Sequence, residues 1–137
     1  MEMPRMGFGT YGRTDEAGRD AILAALEVGC RHLDTAQSYG TEPQVGQAVR
    51  LSGLPRDEVW VTTKVAEESL GPGLVVPSLE RSLEALGLDH VDLALIHWPA
   101  RAGGPAPRVY LEQIAEARDR GLAHAIGVSN FTIALLE

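Results

Sequence analysis

The sequence predicts an α/β fold of parallel strands, of the (β/α)8 TIM-barrel type, carried to about its first five strands and four helices. Three observations point there. Short apolar, β-branched runs alternate with longer stretches of helical periodicity. The strand runs are apolar throughout, as in strands covered on both faces. The β-α unit recurs every 25 to 35 residues or so, the spacing of barrel units, and such repeats give parallel sheets with right-handed crossovers.

Each element has its own signals. Met6 to Thr10 reads as a short first strand. Thr14 is expected to cap the first helix, with Asp15 and Glu16 suiting the positive end of its dipole. Ile22, Ala25, Leu26 and Gly29 fall on one face, and Gly29 is also the expected C-cap. The second strand covers His32 to Thr35. A shorter helix spans about Pro43 to Leu51, with Thr41 as cap and Pro43 in its first turn. The turn SGLPRDE leads to a third strand, Val59 to Lys64. The third helix places Leu79, Leu83 and Leu86 on one face and stops at Gly87. Strand four is Val91 to His97, and PARAGGPAPR is a Pro/Gly-rich loop. Helix four covers Val109 to Arg120, with Leu111, Ile114 and Ala115 facing inward and Gly121 ending it. Strand five is His124 to Val128, and FTIALLE begins another helix. No linker or second domain stands out, so residues 1–137 read as a single partial barrel domain.

Polar residues close three of the apolar runs. Asp34 ends HLD, Lys64 ends VWVTTK and His97 ends VDLALIH, while Tyr39 follows Asp34 by five residues. In an α/β barrel the C-terminal strand ends face the active site. Adjacent strands lie about 4.8 Å apart, so these side chains are expected around one point. A carboxylate, a phenol, an ammonium and an imidazole together form a proton-donating centre for a carbonyl. A free phenol ionises only near pH 10. A nearby ammonium favours the phenolate, and Lys64 is expected to do this for Tyr39, with Asp34 holding Lys64.

GFGTYG, HLDTAQSYG, VTTK, ERSLEALGLDHVDLALIHWP and AIGVSNF, in this order and spacing, resemble successive signatures of the aldo-keto reductases. The resemblance spans almost the whole chain and is similar to roughly the first half of that family's eight-stranded barrel. It implies reduction of aldehydes and ketones with NADPH, NADH being possible. It carries the family's catalytic tetrad onto Asp34, Tyr39, Lys64 and His97, with His97 orienting the substrate carbonyl. It implies cofactor contacts at Thr10, Tyr11, Asp34, Ser129 and Asn130, the last two holding the nicotinamide carboxamide. It places substrate against Tyr11 and Trp98. Ala66 stands near a position often aromatic in the family, which suggests a roomier pocket there. The hydride chemistry belongs to the cofactor, which the protein positions.

Other readings stand beside these. Gly7, Gly9 and Gly12 fit a dinucleotide fingerprint, but the strand that must precede it has scarcely room to form. Lys64 alone could form a Schiff base. Trp60 and His32 share parity with Lys64 and Asp34 and read as interior packing. His90, His124 and Cys30 lie at strand starts and read as structural. No grouping of Cys, His and carboxylate shows metal-ligand spacing in sequence, so no metal is expected.

Composition narrows the partners. A net charge of −7 with no basic run argues against nucleic acid and anionic membrane. A single cysteine fits a reducing compartment. The start MEMPRMGFGT lacks signal-peptide character, and no apolar run reaches a membrane span. These features lead to an expectation of a cytoplasmic protein whose partner is a small carbonyl compound. Five strands do not close an eight-stranded barrel. The 137 residues alone are therefore expected to bind NADPH weakly, to turn over little, and to self-associate through open barrel edges. A non-catalytic nucleotide-binding or interaction module derived from a truncated reductase is the alternative.

Overall fold

The computed structural model describes residues 2–136. Met1 and Glu137, the first and last residues of the segments read above, lie outside the described residues. The chain runs β1 (Phe8–Gly9), α1 (Glu16–Glu27), β2 (His32–Asp34), α2 (Glu42–Ser52), β3 (Trp60–Val65), α3 (Val75–Leu86), β4 (Val91–Ile96), α4 (Pro107–Asp119), β5 (Ala123–Val128) and α5 (Ile133–Leu136). Single 3₁₀ turns at Gln37–Tyr39, Arg56–Glu58 and Glu67–Ser69 were not expected from the sequence. The five strands form one parallel sheet in the order β1-β2-β3-β4-β5. This is the five-stranded part of a (β/α)8 barrel.

Register divides the sheet into two faces. Leu33 pairs with Val61, Thr63 with Ala94, and Val65 with Ile96. These residues meet the helices, against Ile22, Leu26, Val45, Leu79, Leu86 and Ile114, in one buried core. The alternate rows point the other way: Asp34 pairs with Thr62, Thr62 with Leu93, Lys64 with Leu95, and Leu95 with Gly127. His32 and Trp60 lie on this inner face, as parity predicts. The His32 ring nitrogen Nε2 lies 2.9 Å from the Thr62 hydroxyl, and the Trp60 indole N–H donates to the same oxygen at 3.2 Å. The helix face is covered; on the inner face Leu93 and Leu95 are only half-buried.

Several local expectations are corrected. Asp15, not Thr14, caps α1, its carboxylate accepting from the Gly18 N–H at 2.8 Å. Thr14 lies one residue further out, where its carbonyl accepts from Gln44. Gly29 is exposed and leaves the apolar face. It follows the C-cap Val28 at φ 98°, a conformation that costs glycine little. Thr41 precedes α2 without capping it, because its hydroxyl is buried between those of Thr10 and Thr35, each 2.9 Å away. The fully buried stripe of α4 is Tyr110, Ile114 and Ala117; Leu111 packs partly buried against the core, as expected, and Ala115 is only half-buried. The helix starts at Pro107, ahead of Val109, and Tyr110 supplies the large buried ring. Between α2 and α3, a Cβ on Gly46 would overlap the Leu86 carbonyl oxygen. Only glycine lets these helices approach so closely.

Candidate active site

Lys64 is the centre of the site. It stands near the end of β3 with 6 % of its surface exposed. A buried ammonium needs partners, and Lys64 has three. Its Nζ donates to a carboxylate oxygen of Asp34 at the end of β2, to the Thr35 carbonyl at 3.0 Å, and to the Tyr39 hydroxyl at 3.4 Å. The same Nζ lies 4.9 Å from the Tyr39 ring centroid, close enough for a cation–π attraction.

Tyr39 reaches Lys64 because the chain turns immediately after β2. The Gln37–Tyr39 turn is anchored by Gln37, a residue the sequence reading did not single out. The Gln37 amide N–H group donates to Ser78 at 3.2 Å and Ser82 at 3.0 Å on α3. Its carbonyl oxygen accepts from the Ala66 N–H at 2.8 Å. Ala66 is buried and held through its backbone, beside the end of β3. Glu42, also missed, is buried at the start of α2 and accepts from the Thr63 hydroxyl at 2.6 Å. Burial pushes its carboxyl above the usual range, and hydrogen bonds from Thr63 and Ser82 oppose this. Both residues lie inside HLDTAQSYGTE, but only the folded packing against α3 and β3 shows their partners.

His97 follows β4 directly, its N–H bonded to the Val65 carbonyl. Its ring meets that of Tyr39 edge to face, centroids 5.5 Å apart, and its Nδ1 lies 3.2 Å from the Ser38 hydroxyl. Burial lowers the His97 pKa; the Lys64 ammonium lowers it further, and Asp34 opposes. The imidazole is therefore neutral at neutral pH, and with Nδ1 turned to Ser38 its Nε2 is the nitrogen left for another partner.

The remaining expected residues form a rim. Tyr11 is 78 % exposed and its ring stands 5.3 Å from that of Tyr39, near perpendicular. Trp98 is exposed and lies nearly parallel to His97 at 6.4 Å. Ser129 and Asn130 follow β5; the Asn130 amide donates to the His97 carbonyl at 2.9 Å and to the Ser129 hydroxyl at 3.0 Å. Thr10 is different. It is fully buried, and its hydroxyl is engaged with the Asp34 carbonyl and Thr41. Its side chain offers no surface to a ligand; it supports the β1–β2 floor instead.

The strand-start residues behave otherwise. His90, Asp92 and His124 come together at the opposite end of the sheet, although nothing in their sequence spacing groups them.

A family model described as "Aldo/keto reductase family" matches residues 5–137. The chain is 43 % identical over 137 residues to methylglyoxal reductase DkgB of Salmonella typhi, covering all of this chain and 51 % of that protein. It is 48 % identical over 135 residues to an aldo-keto reductase of Mycobacterium avium, covering 98 % of this chain and 47 % of that one. Among solved structures it is similar to an aldo-keto reductase from a Medee basin deep-sea metagenome library, with TM-score 0.92 and 39 % identity over 99 % of this chain and 49 % of that chain. It is also similar to a Bombyx mori aldo-keto reductase in complex with NADP, with TM-score 0.84 and 40 % identity over 97 % of this chain and 48 % of that chain. The chain spans about half the length of the curated relatives it matches.

Proposed function

Because the chain belongs to the aldo/keto reductase family, we propose that the protein carrying it reduces aldehydes and ketones to alcohols with NADPH, or NADH. The observation that carries this reading is the buried Lys64 ammonium, which touches both Asp34 and the Tyr39 hydroxyl. Tyr39 gives its proton to the carbonyl oxygen. Lys64 stabilises the negative charge this leaves on the phenol oxygen, and Asp34 fixes the lysine in place. His97, neutral and with Nε2 free, donates a hydrogen bond to the carbonyl oxygen and orients it.

The residues present fit a nicotinamide cofactor. Tyr11 presents an exposed ring over the centre. Asn130 uses its amide N–H group within the rim, which leaves its Oδ1 to accept from a carboxamide, with Ser129 beside it. When bound, the reduced nicotinamide supplies the hydride that the carbonyl carbon accepts. Trp98 walls the substrate side, and the similarity to a methylglyoxal reductase makes a small dicarbonyl the first substrate to try. In the protein that carries this chain, NADPH absorbance falls on adding methylglyoxal. NADPH binding without consumption, across a panel of aldehydes, would instead support a non-catalytic nucleotide-binding module.

The outer edges of β1 and β5 have no strand partner among the described residues. Beside them Leu93 and Leu95 leave part of the inner face open, and such edges pair with other chains. Residues 1–137 alone are therefore proposed to self-associate as a dimer or larger species in light scattering. A clean monomer at all concentrations contradicts this. The proposed binding partner remains a small molecule rather than nucleic acid or membrane. Among the described residues no helix is long and apolar enough to cross a membrane.

A further inference from the structure

We propose that His90, Asp92 and His124 form a binding site for a borderline divalent transition metal, with Zn(II) as the reference ion, at the strand-start end of the sheet. The three residues come from adjacent parallel strands. His90 immediately precedes β4, Asp92 is its second residue, and His124 is the second residue of β5. Asp92 and His124 fall at one level, between the pairs Val91–Ala123 and Leu93–Ala125. One ligand atom from each of the three lies within 4.8 Å of the others. Tetrahedral zinc with bonds near 2.1 Å sets its ligand atoms about 3.4 Å apart. The difference is within reach of a side-chain adjustment of His124, which is exposed.

Two imidazoles and a carboxylate are a ligand set that suits zinc, leaving a fourth position for water. The two histidine rings are stacked, centroids 4.1 Å apart at 28°. Asp92 is held in place from behind. One of its oxygens accepts from Arg56 and from the Val61 N–H, both at 2.8 Å, leaving the other for an ion. Such outer contacts orient metal ligands. The Arg56 charge opposes a cation, and the exposed carboxylate of Asp57 lines the same cavity of about 350 Å³ and offsets it.

The site is remote from the reducing centre. His90 and His97 lie at opposite ends of β4, about 23 Å apart at strand rise. A metal here ties the starts of β4 and β5 together and takes no part in carbonyl chemistry.

Calorimetric titration of the protein with ZnCl2, after chelator treatment, tests this. The expected result is one ion bound per chain at neutral pH. His124→Ala weakens it at least about tenfold, as does His90→Ala. Both leave the Asp92–Arg56–Val61 anchor intact, and circular dichroism shows the fold retained. Cobalt(II) at the same site gives visible absorption bands that His124→Ala abolishes. Zinc binding that His124→Ala leaves unchanged, or no stoichiometric binding by the unaltered protein, overturns the proposal.

Discussion

In the protein that carries this chain, Tyr39→Phe is expected to lower the proposed carbonyl reduction by about two to four orders of magnitude, the range that follows loss of an acid catalyst. The substitution removes only the hydroxyl. The ring keeps its edge contacts with Tyr11 and His97 and its place beside the Lys64 ammonium. The fold and the cofactor rim are therefore unchanged, and NADPH affinity, read by fluorescence quenching, shifts little. The loss falls on kcat. Near-normal turnover in this variant would remove Tyr39 from the chemistry and leave His97 as the remaining proton donor.

Lys64→Met is expected to lower reduction at least about a hundredfold by a different route. The methionine fills similar space but withdraws three donor contacts at once, to Asp34, to the Thr35 carbonyl and to the Tyr39 hydroxyl. Tyr39 then loses the charge that stabilises it once its proton has left. Asp34 loses its partner in a partly buried position, so thermal stability also falls, by an amount that Asp34→Asn added in the same chain partly restores. A lysine so enclosed could alternatively attack a carbonyl directly. Borohydride added with substrate separates the two: the reductase reading expects no stable mass on Lys64, and an adduct there favours Schiff-base chemistry.

How far the sequence reveals this molecule differs from element to element. The strands are legible because fully covered parallel strands are apolar along their whole length, and their polar residues therefore cluster at the ends. That is why Asp34, Lys64 and His97 stand out, and strand parity alone puts Asp34 and Lys64 on the inner face with His32 and Trp60. Helix stops are legible where glycine follows an apolar stripe, as at Gly87 and Gly121. Capping is less so. Thr14 and Asp15 are both good caps, and Thr41 looks like one, but a tertiary network of three buried threonine hydroxyls draws Thr41 away. Thr10 belongs to the same network, which is why a residue expected at the cofactor turns out to be enclosed.

Side chains that act across elements are hidden for a related reason. Gln37 reaches α3 and the Ala66 amide, and Glu42 reaches Thr63. None of these partners is close in sequence. The grouping of His90, Asp92 and His124 depends on the register of β4 against β5, so an expectation of no metal drawn from spacing alone could not weigh it. His-x-Asp spanning the start of one strand and His at the start of the next is the pattern that register turns into a cluster.

The reducing centre is tested most directly by isotope transfer in the protein that carries this chain. NADPH carrying deuterium at both nicotinamide C4 positions is incubated with methylglyoxal, and the product is examined by mass spectrometry and NMR. The expected product is an alcohol bearing deuterium on the former carbonyl carbon, formed by the unaltered protein and nearly absent with Tyr39→Phe. Tight NADPH binding with no deuterated alcohol from any aldehyde would contradict it.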